Sequence, residues 1–487
     1  MINIRIVLNV IGALLVVLGG FMLTTLPFSL YHASNDSSAL ISSATITVLF
    51  GFSVWWFTRK TNKNIGKREG YLIVGLGWFS ISIFSSLPFL FSGSLPELTN
   101  AFFESVSGLT TTGASVINDI EAVPKGVLFW RSLTQWLGGM GIIVLTVALF
   151  PLLGIGGVEL FVAEAPGPTS DKIHPRIKET AKRLWFIYVG LTGLLTAILY
   201  VNGMTFYDAI NHGLTTMATG GFSTKNASIA HFDSPGIQYP IAFFMFLAGT
   251  NYTVIYFSLK GNFKKVWRSD EFRAYVFLVL SLIFIVTATV YQLTDLPFEK
   301  SFREVTFQII SIITTTGFVS ADYTSWTPAL TLLFFALLFV GACAGSTSGG
   351  IKIIRHLVFV KNSFLEFKRL LHPRGVVKIK IDQQIVAPRI LTHILVFLLI
   401  YLIIFVLSSI IMAIILADFN QPIITSIGAV ATALGNVGPA IGELGPLNNF
   451  ANVPMAGKWF LAFLMILGRL ELFTILILFS PFFWRMN

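Results

Sequence analysis

Four turns rich in threonine and glycine hold the residues best suited to bind something. They are Thr110-Thr111-Thr112-Gly113-Ala114-Ser115, Met217-Ala218-Thr219-Gly220-Gly221-Phe222-Ser223, Thr314-Thr315-Thr316-Gly317-Phe318 and Ala433-Leu434-Gly435-Asn436-Val437-Gly438. With Gly113, Gly220, Gly317 and Gly435 taken as matching glycines, the spacings are 107, 97 and 118 residues, close enough for one duplicated unit with loop insertions. The chemistry open to such segments is coordination of a desolvated cation. Glycine permits the backbone conformation that turns successive carbonyls toward one axis. A ring of such carbonyls replaces the hydration shell of an ion, and threonine hydroxyls add oxygens at its inner mouth. The residues for this task are Thr111, Thr112, Gly113, Thr219, Gly220, Thr315, Thr316, Gly317, Gly435 and Asn436. The four turns are unequal, since the second has Ala218 before Thr219 and the fourth, Leu434-Gly435-Asn436, has no threonine. Fewer hydroxyl oxygens weaken discrimination between monovalent cations, so a sodium leak or sodium coupling stays open.

Something must hold those turns in place. Ahead of each lies a stretch of about 12 residues, such as Glu97 to Leu109 or Pro422 to Ala433, too short to span the hydrocarbon core of a bilayer. These stretches are expected to be re-entrant half-helices whose partially negative C-terminal ends point inward, which suits a cation. Pro96, Pro297 and Pro422 stand at or near their starts, where a missing N–H costs little. Glu104, Asn211, Gln308 and Ser426 each precede the marked glycine by nine residues. Glu104 could titrate or coordinate, or could cap or brace its turn.

The rest of the chain is built for a membrane. Of 487 residues 54% are apolar and only 11% charged, with mean hydropathy +0.78, whereas soluble domains carry about 25% charged residues. Ten runs could cross a bilayer, near 6–29, 39–58, 70–92, 128–153, 184–202, 238–259, 274–292, 328–344, 388–416 and 457–483. The first is too long for a signal-peptide core and is taken as a retained span. Most of the 33 Lys and Arg fall in four loops, at Arg59 to Arg68, Lys172 to Arg183, Lys260 to Arg273 and Lys352 to Arg389, which places those loops and both termini in the cytoplasm. The expected fold is an all-α integral membrane protein of ten transmembrane helices. Two N-terminal helices (1–66) precede four pseudo-symmetric helix, pore-loop, helix repeats around one pore, at 67–155, 156–262, 263–385 with an intramembrane loop, and 386–487. Close helix packing by small residues is the competing account of one Thr-Thr-Gly. Four turns in register on one side of the membrane favour the ring.

Other chemistry is thin. The net charge of +10 is scattered through short loops, not gathered on a soluble face as nucleic-acid binding would require. A lone cysteine, Cys343, excludes a disulfide framework and multi-cysteine metal sites. The seven histidines, His212, His231, His356 and His372 among them, have no metalloprotease or paired-ligand spacing, and most are expected at interfaces or in solvent. Gly345 to Lys352 misses the P-loop pattern because Ile351 separates Gly350 from Lys352, and Gly154-Ile155-Gly156-Gly157 ends a span and is a weak dinucleotide fingerprint. No catalytic cluster is found, so the chain is not expected to be an enzyme.

Across nearly its whole length the chain resembles the Trk/Ktr/HKT superfamily of potassium transporters, in its TrkH-type bacterial branch. Besides the four turns, the resemblance is carried by Phe129-Trp130-Arg131-Ser132-Leu133-Thr134-Gln135-Trp136-Leu137-Gly138-Gly139-Met140-Gly141, by Pro166-Gly167-Pro168 with Pro175 to Lys182, by Gly341 to Gly350 and by Gly468-Arg469-Leu470-Glu471. The two spans ahead of the first repeat favour the TrkH type. Gly113 resembles potassium-selective members, since serine there marks many sodium-selective plant relatives. The resemblance implies inward movement of K+ through a four-part selectivity filter in the inner membrane of a bacterium, with K+ as the bound and transported metal and no organic cofactor. It further implies a homodimer surrounded by membrane lipid, and a separate cytosolic regulatory ring protein that binds NAD or ATP. The basic stretch Lys361 to Lys380 could dock that partner, or could be topogenic charge beside anionic lipid.

The same resemblance implies a gate. Arg469 lies ten residues after Trp459 and twelve before Pro481 in an apolar run, too deep to snorkel easily. In the family the matching arginine projects into the pore below the filter; an ion pair with Glu471 or another acid is the other reading. Gly341 to Gly350 keeps no hydrophobic face, and irregular backbone at membrane depth is tolerated where it lines a cavity. The resemblance makes Gly345, Ser346, Thr347, Ser348, Gly349 and Gly350 an intramembrane plug, against the plainer reading of Gly341 and Gly345 as a helix-packing pair. The driving force would be the membrane potential, about 2.3 kcal/mol per charge per 100 mV, with symport of a second ion open. The alternatives are a Na+ or mixed K+/Na+ pathway and, more remotely, a solute symporter with a midplane pocket.

Overall fold

The structure, a computed structural model, describes residues 2–60, 65–141, 177–372 and 378–485. Among them six helices are long and apolar enough to cross a bilayer: Ile4–Tyr31, Ser37–Thr58, Lys67–Phe91, Lys182–Val201, Asp270–Leu293 and Pro388–Ile415. Two more are bent pairs: Pro235–Ala248 meets Tyr252–Leu259 at 109°, and Met455–Arg469 meets Phe473–Phe479 at 116°. With each pair taken as one span the number is eight, against ten expected. The other two expected spans differ for separate reasons. The run at 128–153 forms the helix Lys125–Gly139 and then passes outside the described residues. The run at 328–344 stops as a helix at Leu337, four residues before the small-residue segment that begins at Gly341. Pro166-Gly167-Pro168, Gly154 to Gly157, Lys172, Pro175, Arg176 and Arg374 also lie outside the described residues.

Four shorter helices precede the four turns: Leu98–Leu109, Phe206–Met217, Phe298–Ile313 and Pro422–Gly435. Their 12 to 16 residues correspond to about 18–24 Å, less than the roughly 30 Å hydrocarbon core. Their starts follow local rules. Thr205 accepts the Asp208 amide as an N-cap, Pro297 is the N-cap residue of its helix, and Pro422 opens the fourth. All four are buried in protein along most of their length.

Packing divides into two apolar clusters. One joins Ile4–Leu23, Lys67–Ser85, Leu98–Leu109, Lys125–Gly139, Pro422–Gly435 and Met455–Arg469. The other joins Ile177–Val201, Pro235–Ala248, Asp270–Leu293, Phe298–Ile313 and Pro328–Leu337. Trp136, Phe339 and Phe405 pack against both and stitch them together. The outer faces remain apolar, with Phe277 76%, Phe284 78% and Ile414 73% exposed, a surface suited to lipid and not to water. A two-stranded hairpin, Lys380–Ile381 with Gln384–Ile385, follows the polar helix Ile353–Leu371.

Candidate functional site

Each short helix ends in the same way. The residue after its C-cap is left-handed: Thr111 at φ 55°, Thr219 at 53° and Thr315 at 55°; in the fourth, Asn436 itself caps the helix at 52°. The next residue donates its amide back five positions into the helix: Thr112 to Ser107 (2.9 Å), Gly220 to Thr215 (2.9 Å), Thr316 to Ser311 (2.8 Å) and Val437 to Thr432 (3.1 Å). This is the Schellman pattern. Spending the turn amides on the helix end leaves the turn carbonyls for something other than their own helix. A β-branched residue at positive φ is a steric outlier, costing about 1–3 kcal/mol and persisting where surrounding structure dictates it. Three of these four positions carry that outlier.

The backbone corrects the register of the matching glycines. Gly113 (φ 83°) corresponds to Gly221 (76°), Gly317 (78°) and Gly438 (102°), each two residues beyond the left-handed position. Gly220 therefore corresponds to Thr112, and Gly435, the last residue of its helix, to Thr110. The Schellman turn counts from the helix end. Glycine spacing misleads where two glycines adjoin, as at Gly220-Gly221, or where one closes the helix, as at Gly435.

The four turns close on one another in sequence. A Cβ built on Gly113 would fall within 3.0 Å of the carbonyl oxygen of Gly220, one on Gly221 of that of Thr316, one on Gly317 of that of Val437, and one on Gly438 of that of Thr112. Each glycine thus abuts the carbonyl that precedes the corresponding glycine of the next turn, and the fourth returns to the first. All ten expected ring residues belong to these four turns and the helix ends that carry them, with their threonines and Asn436 fully buried. Thr110 and Thr112 share a hydroxyl hydrogen bond of 2.7 Å, Thr314 and Thr316 one of 2.8 Å, and the Asn436 amide donates to Thr112 Oγ1 (3.0 Å) and to the Met465 carbonyl (2.8 Å).

The four polar positions nine residues before the marked glycines are fully buried. Glu104 acts as a brace: it accepts from Arg131 Nε (2.7 Å), Ser115 Oγ (2.9 Å) and the Val116 amide (2.9 Å). Gln308 reaches Ser320 Oγ at 3.2 Å, whereas Asn211 donates within its own helix to the Tyr207 carbonyl. His212 is not interfacial as expected. It is fully buried, donating from Nδ1 to the Asp208 carbonyl (2.8 Å) and accepting at Nε2 from Ser223 (2.9 Å). Two further braces, Arg131 and Gln135, belong to the Phe129 to Gly141 segment, where the sequence assigned them no role. Arg131 Nη1 also donates to the Ser223 carbonyl (3.1 Å) and its guanidinium stacks on Phe222, while Gln135, one helical turn on, contacts Gly220 and Phe222. Their i, i+4 spacing in an otherwise apolar helix was the available signal. In the loops that follow the first and second turns, Asn226 donates to Asp119 (3.0 Å), and that hydrogen bond holds the exposed carboxyl below its ordinary range.

The interrupted segment lies directly against this ring. Gly349 donates its amide to Thr315 Oγ1 (2.7 Å), and Thr347 Oγ1 donates to the Met217 carbonyl (3.0 Å). The Gly345 carbonyl accepts the Tyr252 amide (3.1 Å), Ser346 and Ser348 bond to each other (2.8 Å), and Gly350 is left-handed at φ 65°. Gly341 is therefore not in a helix-packing motif; its amide bonds Ile351 (2.8 Å) and draws the two ends of the loop together. Glu271 accepts the amides of Ala344 (2.7 Å) and Ile354 (3.2 Å), spanning the loop and the helix after it.

Arg469 ties loop to ring. It donates to Thr111 Oγ1 (3.2 Å), to the Thr347 carbonyl (2.8 Å), and to the carbonyls of Gly138 and Gly139. The ion pair considered for Glu471 is made with Arg355. On the opposite side of the loop, Lys361 is engaged with Asp270 (2.8 Å) and the Lys380 carbonyl (3.1 Å), so part of the basic stretch is spent within the chain. Among the described residues no group of three or more His, Cys, Asp and Glu could hold a metal ion, and the oxygens on offer are carbonyls and hydroxyls.

A family model described as TrkH, cation transport protein, matches residues 36–486. The chain is 40% identical over 501 residues to the Trk system potassium uptake protein TrkH of Escherichia coli (strain K12), covering 99% of both. It is 37% identical over 497 residues to the protein of the same name from Halomonas elongata, covering 99% of this chain and all of that one. The crystal structure of the potassium transporter TrkH from Vibrio parahaemolyticus superposes with a TM-score of 0.89 at 36% identity, covering 99% of this chain and 100% of that one.

Proposed function

Because the chain belongs to the TrkH family of cation transport proteins, and is thus a transporter and not an enzyme, we propose that it carries K+ inward across the bacterial cytoplasmic membrane through the ring of four turns. The observation that carries this reading is the cyclic closure of Gly113 on Gly220, Gly221 on Thr316, Gly317 on Val437 and Gly438 on Thr112, which gathers four sets of carbonyls from distant parts of the chain around one axis. Carbonyl and hydroxyl oxygens without a carboxylate suit a weakly hydrated monovalent ion better than a divalent one, which draws formal negative charge.

In this reading four repeats, at 67–155, 156–262, 263–385 and 386–487, follow two N-terminal helices, and ten spans are completed by the two runs whose helices are shorter in the described residues. The filter comprises Thr111, Thr112 and Gly113, then Thr219, Gly220 and Gly221, then Thr315, Thr316 and Gly317, then Asn436, Val437 and Gly438, in the register of the left-handed residues. The loop Gly345 to Gly350 and Arg469 form the gate, and the hydrogen bonds from Arg469 to Thr111 and Thr347 support their acting together. Basic loops and both termini are cytoplasmic. The working assembly is a homodimer on a cytosolic nucleotide-binding ring protein, and the basic stretch Lys361 to Lys380 is the candidate surface for that partner. The unequal second and fourth turns favour a second reading, in which Na+ shares the pathway or is coupled to K+.

The test is uptake of rubidium and sodium into liposomes containing the purified protein, driven by an imposed potential. Rubidium uptake that exceeds sodium uptake and scales with the potential is expected. Uptake equal to that of protein-free liposomes, with the Arg469→Ala protein equally silent, would overturn the proposal.

A further inference from the structure

Resting on that reading, we infer that Gln135 is a specificity-determining residue, supplied by the first repeat to complete the second quarter of the filter at Gly220. The first and third turns pin their middle residue by a side chain: the hydroxyls of Thr112 and Thr316 bond back to Thr110 and Thr314. In the second turn both members of that pair are lost, because the corresponding residues are Ala218 and Gly220. Gly220 is not glycine for its backbone. Gly221 has a positive φ and Gly220 does not, so a side chain at 220 would be conformationally admissible. What excludes one is Gln135: a Cβ on Gly220 would fall within 3.0 Å of its Cδ, Oε1 and Nε2.

The Gln135 amide thus occupies the space of the missing side chain and replaces its anchoring bond. It is fully buried, donates from Nε2 to the Gly220 carbonyl, and accepts the Phe222 amide at Oε1 (3.0 Å). Both bonds determine its orientation, since the flipped amide would set oxygen against oxygen and N–H against N–H. The carbonyl it holds is a ring carbonyl, the one that Gly113 abuts. Two consequences follow for an ion. The Gly220 peptide cannot rotate without breaking both bonds, and the donor on its oxygen reduces the negative charge that oxygen offers. A weaker carbonyl field favours the larger, more easily dehydrated ion, so Gln135 biases this quarter toward K+ over Na+. Gln135 acts through Gly220 and is a positioning residue.

The decisive variants are Gln135→Met, which keeps the volume and removes both bonds, and Gln135→Ala. Rubidium and sodium uptake are measured in liposomes per folded protein, beside Gly113→Ser as a control on the filter itself. Loss of one buried hydrogen bond of this kind should lower the rubidium-to-sodium ratio by roughly three- to tenfold and raise the half-saturating rubidium concentration. Gln135→Ala should do the same. A ratio that holds in Gln135→Met and Gln135→Ala while Gly113→Ser lowers it overturns the role of Gln135 and leaves the filter standing. A ratio unmoved in every variant overturns both. Proportional loss of both fluxes at constant ratio means a purely structural residue and also overturns the inference. If Gln135→Met does not fold, Gln135→Asn, whose amide is too short to reach Gly220 and Phe222 together, decides by the same ratio.

Discussion

Replacing Arg469 with alanine removes a group that joins the first turn of the ring to the loop against it. Its Nη1 lies 3.2 Å from Thr111 Oγ1 and 2.8 Å from the Thr347 carbonyl, and Nη2 lies 3.0 Å from the Gly139 carbonyl. An ion held by the Thr111 hydroxyl at about 3 Å would stand about 6 Å from the guanidinium, where repulsion at an effective dielectric of about 20 is about 3 kcal/mol. Removing that barrier corresponds to roughly a hundredfold in rate, an upper limit that salt in the pore reduces. The loop also loses a charged donor on the Thr347 carbonyl, a bond of about 1.5–3 kcal/mol, which loosens the loop. Arg469→Ala should therefore raise basal rubidium uptake in the absence of any cytosolic partner. Shortening Gly345 to Gly350 should raise it too, and the double change should raise it by less than the product of the single effects, since both relieve one obstruction. The assay is tracer uptake into liposomes, normalised to protein recovered as a single peak by size-exclusion chromatography. Glu471 is held by Arg355, so the substitution does not strip Glu471 of that cation. Uptake that falls or stays level in both single variants refutes the gate while leaving the ring intact.

Three further outcomes can be checked. Gly113→Ser adds a side chain at φ 83° against the Gly220 carbonyl; the rubidium-to-sodium uptake ratio should drop, and an unchanged ratio would sink the filter assignment. Glu104→Ala strands the buried Arg131 guanidinium and frees Ser115 and the Val116 amide, a loss of about 3–5 kcal/mol that should appear as a lower thermal midpoint, with a smaller loss in Glu104→Gln; equal midpoints in all three proteins would contradict the brace. Glu271→Ala leaves the Ala344 and Ile354 amides without that acceptor, at about 1–3 kcal/mol each; basal rubidium uptake should increase, and a decrease at equal folded amount would show that Glu271 does not restrain the loop.

Membrane class, the approximate spans, the short helices and the four turns were all legible along the chain, because each depends on residues within a few positions of one another. Apolar run length decides what can cross a bilayer, proline and a capping threonine open a short helix, and a Thr/Gly run closes it. The interrupted helix at Gly341 to Gly350 was equally visible, since a segment without a hydrophobic face cannot continue a span. The deep charge at Arg469 stood out for the same local reason.

Other features depend on hydrogen bonds that spacing along the chain does not report, some at a helix end and some between segments 85 residues or more apart. Which glycine matches Gly113 is decided by the hydrogen-bonded helix end, so Gly221 and Gly438 take places that spacing had given to Gly220 and Gly435. The partner of Glu471 is Arg355, 116 residues away and not Arg469 two residues away, because the backbone turns at Glu471 and Leu472, both left-handed, and points neighbouring side chains apart. Gln135 and Gly220 look unremarkable alone, one a polar residue in an apolar helix and the other one glycine of two. Their fit exists only after the first repeat's helix is laid against the second repeat's turn. Burial then makes the match specific, since an amide with no water to turn to must find its donor and acceptor in the protein.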